Sequence, residues 1–338
     1  MKIGWGVIGT GRFVKRFMGS AINQSSRSNF IGVYSRSMEK AEAFAKEFGV
    51  KHAYNSLEMM LKDPEIKVIY IASPNNLHMK QTILTAKAGK NIFCEKPMAL
   101  TVEECEAMIN ICEKNNVKLG LNFQNRFHPA HISARDYIKS GNIGKLFVAK
   151  AQYCHGSMEG RWQGWRNDPA ATGAGALVGT GLHPIDLLHF LLDSEIKKVR
   201  SLVVNKTKHH QVDEMIYLIL EFENGVDAVI ISGILAPRSD NDAVFYGNGA
   251  KIICKNTIGY ARNLEGQLII EGDSVNIHKK FPFDMIGLCM KSIEKFNDCI
   301  IDNKRPDEGM SGQNGLKMVK ITNAILKSNK EDRAILVK

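Results

Sequence analysis

No two of the seven cysteines (94, 105, 112, 154, 254, 289 and 299) stand three apart, and their number is odd. A Cys-x-x-Cys redox or zinc motif is excluded, and the thiols read as reduced and mostly buried. The ten histidines include His128, His131 and the adjacent His209 and His210, but no His-Glu-x-x-His accompanies them. No structural metal site is therefore expected. The continuous apolar runs fall far short of the ~20 residues of a membrane span, and no low-complexity tract interrupts the chain. The opening MKIGWGVIGTG has no cleavage-like small-residue site and reads as a strand running into a turn. These absences point to the cytoplasm and away from membranes. Net charge is +10, yet Lys and Arg are spread rather than clustered, so nucleic acid is not the expected partner. A surface biased toward anionic small molecules is.

What the chain does have is a change of grammar near residue 123. Before it, KIGWGVIG, NFIGVYS, KVIYIA, NIFC and VKLGLN read as strands. Between them lie helical patterns. GRFVKRFMGSAIN carries Phe13, Phe17 and Ala21 on one stripe, and SMEKAEAFAKEFG closes on Gly49. A short helix over 56–62 and NNLHMKQTILTAKAG follow, then TVEECEAMINICEKN, which opens on a Thr101/Glu104 capping box. Strands separated by such helices predict right-handed crossovers and a doubly wound parallel sheet. After residue 123 come the helix PAHISARDYIKSG, the strand KLFVAKAQYCH, a Gly-, Trp- and Arg-rich stretch and the helix HPIDLLHFLL. KKVRSLVV, EMIYLILEF, VDAVIISGIL, AVFYG, AKIIC and QLIIEG then read as strands, with a hairpin at Asn224-Gly225. Helices over about 285–302 and 311–328 and a short apolar tail close the chain. The expected fold is α/β: a parallel-sheet domain over 1–123 and an α+β domain over 124–338, its mostly antiparallel open sheet carrying helices on one face.

Gly9-Thr10-Gly11 follows the first strand and opens the first helix. There, free backbone N–H groups and the helix dipole favour a pyrophosphate; the alternative is a plain strand–turn–helix. The third glycine of the usual pattern falls at Val14, so the helix should sit slightly further from the strand. NAD-binding chains place Asp or Glu at the end of the second strand for the adenosine ribose. Here Tyr34-Ser35-Arg36-Ser37 stands instead, with Lys40 a helical turn further on. Ser35, Arg36 and Lys40 can bind a 2′-phosphate that an acid would repel. NADP is the expected cofactor; NAD is also usable if Arg36 merely stacks on the adenine. Ser73-Pro74-Asn75-Asn76 and Glu95-Lys96-Pro97 follow the third and fourth strands, at carboxyl ends where open α/β sheets bind ligands. Lys96, between an apolar strand and a proline, is either an ordinary loop lysine or a catalytic one. Beside a cationic nicotinamide its ammonium form is disfavoured, which suits proton transfer. A cis Lys-Pro bond would fix the direction of its side chain.

VIGTGRF, SPNNLH, FCEKP, QGWR and GLHPIDLL, in this order over essentially the full length, resemble the glucose–fructose oxidoreductase / inositol 2-dehydrogenase / MocA (Gfo/Idh/MocA) family. LGLNFQNRFHPAH, IKSGNIGK and QGWRNDPAATGAGAL are similar in particular to its NADP-dependent 1,5-anhydrofructose reductases. The resemblance implies a Rossmann domain plus an α+β domain whose open sheet forms a homodimer or homotetramer. It also implies hydride transfer between NAD(P) and a sugar or polyol carbonyl/alcohol pair. By that resemblance Gly9, Thr10, Gly11, Arg12 and Phe13 hold the pyrophosphate, and Ser35, Arg36 and Lys40 the adenosine end. Ser73, Asn75 and His78 line the cofactor pocket, Glu95 contacts ribose, and Lys96 lies against nicotinamide and substrate. Asn122, Trp165 and Arg166 close the nicotinamide end. The plainer alternatives are a satisfied structural histidine at His78 and a core role for Trp165.

The family's second signature is Asp-x-Gly-x-His-x-x-Asp, whose first acid and histidine face the substrate. Laid on this chain, the glycine is Gly181, the histidine His183 and the last acid Asp186, but the first acid falls on Gly179. The second Gly-Thr-Gly is thus not a phosphate loop. His183 remains sufficient for the proton step, its reference pKa being close to neutrality. Asp186 either orients the imidazole or caps its helix, and Thr180 would offer a sugar hydroxyl a weaker acceptor. Some relatives cleave glycosidic bonds through bound NAD, and others are catalytically silent sugar-responsive regulators. Ser35-Arg36 argues against the first reading; Lys96 and His183 argue against the second, while Gly179 argues for it.

Overall fold

The first apolar run, IGWGVI, is buried at all six positions, as a strand covered on both faces must be. In the computed structural model, which describes residues 2–156, 162–259, 265–307 and 309–338, it is β1 (Ile3–Ile8) of a six-stranded parallel sheet. Its companions are β2 (Ser28–Tyr34), β3 (His52–Tyr54), β4 (Val68–Ile71), β5 (Asn91–Cys94) and β6 (Leu119–Leu121), in the order β3-β2-β1-β4-β5-β6. The strand order reverses between β1 and β4, the position at which doubly wound sheets open a crevice beyond their carboxyl ends. Five of these strands are legible as apolar runs. β3 is not: His52, Ala53 and Tyr54 are only half-buried at the sheet edge, too few for any periodicity. Thr101 caps the helix Val102–Lys114, its Oγ1 accepting from Glu104 N–H at 3.2 Å, while Glu104 Oε2 reaches one residue past the cap and accepts from Leu100 N–H at 2.9 Å.

The chain folds as two compact units, Met1–Gln124 with Met285–Val319, and Asn125–Asp284 with Lys320–Lys338. Met285–Val319, assigned from the sequence to the C-terminal domain, thus packs with the first unit. The reason is an aromatic cluster. Phe296, from the helix Met285–Ile301, stacks on Phe93 at 5.1 Å and meets Trp5 edge-on at 6.2 Å. Trp5 Nε1 donates to Asn297 Oδ1 at 3.0 Å inside this core.

In the second unit nine strands form one sheet. They are β7 (Leu146–Cys154), β8 (Ile196–Val204), β9 (Met215–Phe222), β10 (Asp227–Gly233), β11 (Ala243–Gly247), β12 (Lys251–Lys255), β13 (Gly266–Gly272), β14 (Val275–Phe281) and β15 (Ile335–Leu336). Their order is β14-β13-β12-β11-β7-β10-β9-β8-β15; β7 and β10 run parallel and the other neighbours antiparallel. β14 carries polar and charged residues on an edge strand, which hides it in the sequence. Helices Pro129–Lys139 and Leu182–Leu192 pack against one face of the sheet. By alternation the other face leaves Leu202, Ile219, Val229, Val148 and Tyr246 exposed. The helical stretch Pro169–Leu192 is long and apolar enough to cross a membrane, but 83% of its most apolar window is buried inside the protein.

Candidate active site

In the first unit the candidate residues leave the carboxyl edge of the parallel sheet. Gly9 ends β1 at φ +106°, and a Cβ there would lie 2.8 Å from Ala72 O. Only glycine lets these two strand ends approach so closely. At Gly11 an added side chain would meet nothing within 4 Å, and Arg12 is exposed beside it. Thr10 and Phe13 are half-buried. The helix beyond opens with a π-turn, Val14–Met18, whose first N–H groups no side chain caps. Backbone donors, open space and a positive dipole end fit a pyrophosphate. Val14, where the usual third glycine would stand, is fully buried.

At the end of β2, Ser35 N–H donates to Tyr54 O at 3.0 Å and Ser35 Oγ accepts from Ser37 N–H. Ser37 in turn caps the helix Met38–Phe48 through Lys40 N–H. Arg36 and Lys40 are both exposed, and neither forms an ion pair among the described residues. Beyond β4, Ser73 Oγ donates to Gln81 Oε1 at 2.6 Å, and Asn75 is buried. His78 is wholly buried, with Nδ1 2.9 Å from Pro97 O and Nε2 3.1 Å from Ser73 O. Burial holds its pKa below the ordinary histidine value. Its ring lies between the loop after β4 and the loop after β5, and the single N–H of the neutral ring donates to one of the two carbonyls.

After β5 the half-buried Glu95 accepts from the Tyr70 hydroxyl and from Asn122 Nδ2 at 2.7 Å. Burial raises its carboxyl pKa, opposed by those two donors and by Lys96. Asn122 is fully buried, and its Oδ1 accepts from none of the described residues. An orphaned acceptor on this edge suits a ligand donor. Lys96 is half-buried, and the Lys96–Pro97 peptide is cis.

In the second unit, Asp213 clamps the stretch leading to His183, accepting from Gly175 N–H at 2.6 Å and Leu177 N–H at 2.8 Å. A second π-turn, Leu177–Gly181, then runs into the helix Leu182–Leu192. π-Turns are rare and concentrate at functional sites; here one follows the first Gly-Thr-Gly and one contains the second. Thr180 is buried and its hydroxyl donates back to Ala176 O at 2.9 Å. His183 Nδ1 faces Asn125 Nδ2 at 3.2 Å, with Tyr153 edge-on to its ring at 5.4 Å. Asp186 is held by Arg126 in a two-pronged pair, Nε to Oδ2 at 2.8 Å. With both partners largely buried, Asp186→Asn should lower stability by about 3 kcal/mol, because Arg126 is left uncompensated; urea unfolding measures it. Trp165 and Arg166 occupy the half-buried turn Gly164–Asn167, the guanidinium 4.4 Å over the indole.

The indole of Trp162 covers Gly179. A Cβ at 179 would lie 2.3 Å from Trp162 Cη2 and 3.0 Å from Cζ3. Trp162 packs with Val212, Ile234 and Leu235. Sequence reasoning missed Trp162, Asp213, Tyr153, Asn125 and Arg126; of these, only Asn125 and Arg126 stood inside a quoted motif, LGLNFQNRFHPAH. Residues 157–161 of the Gly-, Trp- and Arg-rich stretch lie outside the described residues. Elsewhere, ligand atoms of His52, Asp63 and Glu65 lie within 4.8 Å of one another. Tyr54 and Lys51 already occupy the two carboxylates.

Residues 3–123 match the profile of an oxidoreductase family with an NAD-binding Rossmann fold, and residues 131–253 match the Gfo/Idh/MocA C-terminal domain. The chain belongs to the Gfo/Idh/MocA oxidoreductase family. A 1,5-anhydro-D-fructose reductase from Ensifer adhaerens is 26% identical over 283 residues, 81% of this chain and 84% of the relative. A levoglucosan dehydrogenase in complex with NADH superposes at TM-score 0.89, 22% identical, with all of both chains covered. A 3-ketoreductase from Actinomadura kijaniata in complex with NADP superposes at 0.86, 20% identical, covering 97% of this chain and 98% of that one. Set against the Gfo/Idh/MocA signature, this member has an indole stacked where the first acid of Asp-x-Gly-x-His-x-x-Asp would project.

Proposed function

We propose that this chain is an NADP-preferring oxidoreductase acting on a carbonyl/alcohol pair of a sugar or polyol. The observation that carries the reading is the edge after β5, where Glu95, fixed by Tyr70 and Asn122, directly precedes Lys96. The open Gly9–Phe13 turn and the orphaned Asn122 Oδ1 belong to the same sheet edge and support a bound dinucleotide. Gly9, Thr10, Gly11, Arg12 and Phe13 would hold its pyrophosphate, and Ser73, Asn75, Glu95 and Asn122 its ribose and nicotinamide, with His78 bracing the loops. Trp165 and Arg166 would close the nicotinamide end. When bound, the cofactor would supply or accept the hydride. Lys96 would polarise the carbonyl oxygen, and His183 would deliver the proton, directly or through Lys96.

The preference for NADP rests on Ser35, Arg36 and Lys40, with two cations unpaired among the described residues where an acid would select NAD. Arg36→Ala should weaken NADPH binding on the order of 10- to 100-fold and leave NADH unchanged, the loss of one charge-assisted hydrogen bond. Equal wild-type affinity for NADH and NADPH by fluorescence titration would remove the role given to Arg36 and Lys40. The exposed apolar row Leu202, Ile219, Val229, Val148 and Tyr246 supports a homodimer or homotetramer through the β7–β10 face. Seven free, buried cysteines support a reducing, cytoplasmic setting.

The deciding experiment is NADPH oxidation against a panel of keto- and aldo-sugars. Turnover on at least one is expected. No turnover on any carbonyl, with NADPH still bound, would make the chain a silent sugar-responsive regulator. Tightly retained NAD that never exchanges would favour the glycosidase chemistry instead.

A further inference from the structure

A neutral imidazole carries one proton, and the nitrogen that holds it determines what the ring can donate. His183 Nδ1 lies 3.2 Å from Asn125 Nδ2. Asn125 is buried, and in this orientation its Oδ1 is an acceptor with no partner among the described residues. Turned over, the amide would bury two N–H donors there instead. An orphaned donor is costlier and rarer than an under-used carbonyl oxygen. The amide therefore donates to Nδ1.

The rest of Asn125 is fixed independently. Its carbonyl accepts from His128 N–H at 3.2 Å and from His131 Nδ1 at 2.7 Å. His131 Nε2 meets Thr257 Oγ1 at 2.7 Å. Burial pulls His131 down to about 4, so this ring is neutral and its single N–H, on Nδ1, donates to the carbonyl. Tyr153, edge-on at an interplanar angle of 83°, limits rotation of the His183 ring. Arg126, next to Asn125, and Asp186, on the helix that carries His183, pair with each other.

We infer that Asn125 is a positioning residue that fixes neutral His183 as the Nε2–H tautomer, so that Nε2 carries the proton to be delivered. The mechanistic value of this rests on the reading of His183 as the proton carrier; the tautomer itself does not.

The test is nitrogen NMR on histidine-labelled full-length protein, with the His183 signals assigned by His183→Gln. Wild-type protein should show an unprotonated Nδ1 and a protonated Nε2. Asn125→Asp keeps the shape but only accepts, so it should place a proton on Nδ1. It should also lower kcat on the order of 10-fold, with KM for NADPH unchanged. A protonated Nδ1 in neutral wild-type His183 overturns the inference, and so does an Asn125→Asp spectrum identical to wild type. The wild-type spectrum decides alone if the variant fails to fold. An inactive wild type with the expected tautomer and its reversal supports the inference and removes the functional reading instead.

Discussion

Lys96→Ala should lower turnover by about 10³-fold while NADPH binds as tightly as in wild type, the loss expected for a group that assists proton transfer. The loop that carries Lys96 has anchors other than its ammonium group. The buried His78 ring lies between Pro97 O and Ser73 O, and Glu95 is fixed by Tyr70 and Asn122. With these anchors, removing the side chain should delete chemistry and leave the turn. Lys96→Arg should fare little better, because guanidinium stays charged and does not exchange a proton near neutrality. Steady-state NADPH oxidation and a fluorescence titration of NADPH check the two halves. A loss under about 10-fold would mean that Lys96 is a loop lysine.

Gly179→Asp, which writes the family's acid back into the signature, should be among the most damaging single substitutions. The new Cβ would overlap the edge of the Trp162 indole, and the carboxylate would be set beside the apolar cluster of Trp162, Val212 and Ile234. Overpacking and an unpaired buried charge together should cost about 4–5 kcal/mol. Gly179→Ala isolates the steric part, about 1–3 kcal/mol. In a Trp162→Ala background, itself a cavity-forming change, the penalty of Gly179→Asp should shrink; a double-mutant cycle in urea reads the coupling. Additive effects would show that the indole does not keep position 179 a glycine.

The parts of the fold legible from the sequence are those where burial writes a period. The fully apolar strands of the parallel sheet, the alternating β9 and β10, the helix stop at Gly49 and the cap at Thr101 all declare themselves. Gly9, Arg36 and Lys96 are legible for a different reason: each is an unusual residue at the carboxyl end of a strand. What stays hidden is whatever depends on a distant neighbour. Phe296 reads as one apolar residue of an amphipathic helix, and nothing local says that it stacks on Phe93. Gly179 reads as a missing acid, and only the fold supplies the indole that fills its place. Thr180, a candidate acceptor in sequence, turns its hydroxyl into its own helix.

The aromatic cluster of Trp5, Phe93 and Phe296 also bears on how such a chain can be inherited or cut. A gene fragment ending at residue 123 would encode a complete six-stranded sheet and every strand of the nucleotide fold. It would nonetheless leave Trp5 without its Asn297 acceptor and one side of Phe93 facing water. The portable module is discontinuous in sequence. Recombination that exchanges only the N-terminal part between relatives must carry the matching Met285–Val319 segment with it, or a helix grown for one partner will be asked to cover another.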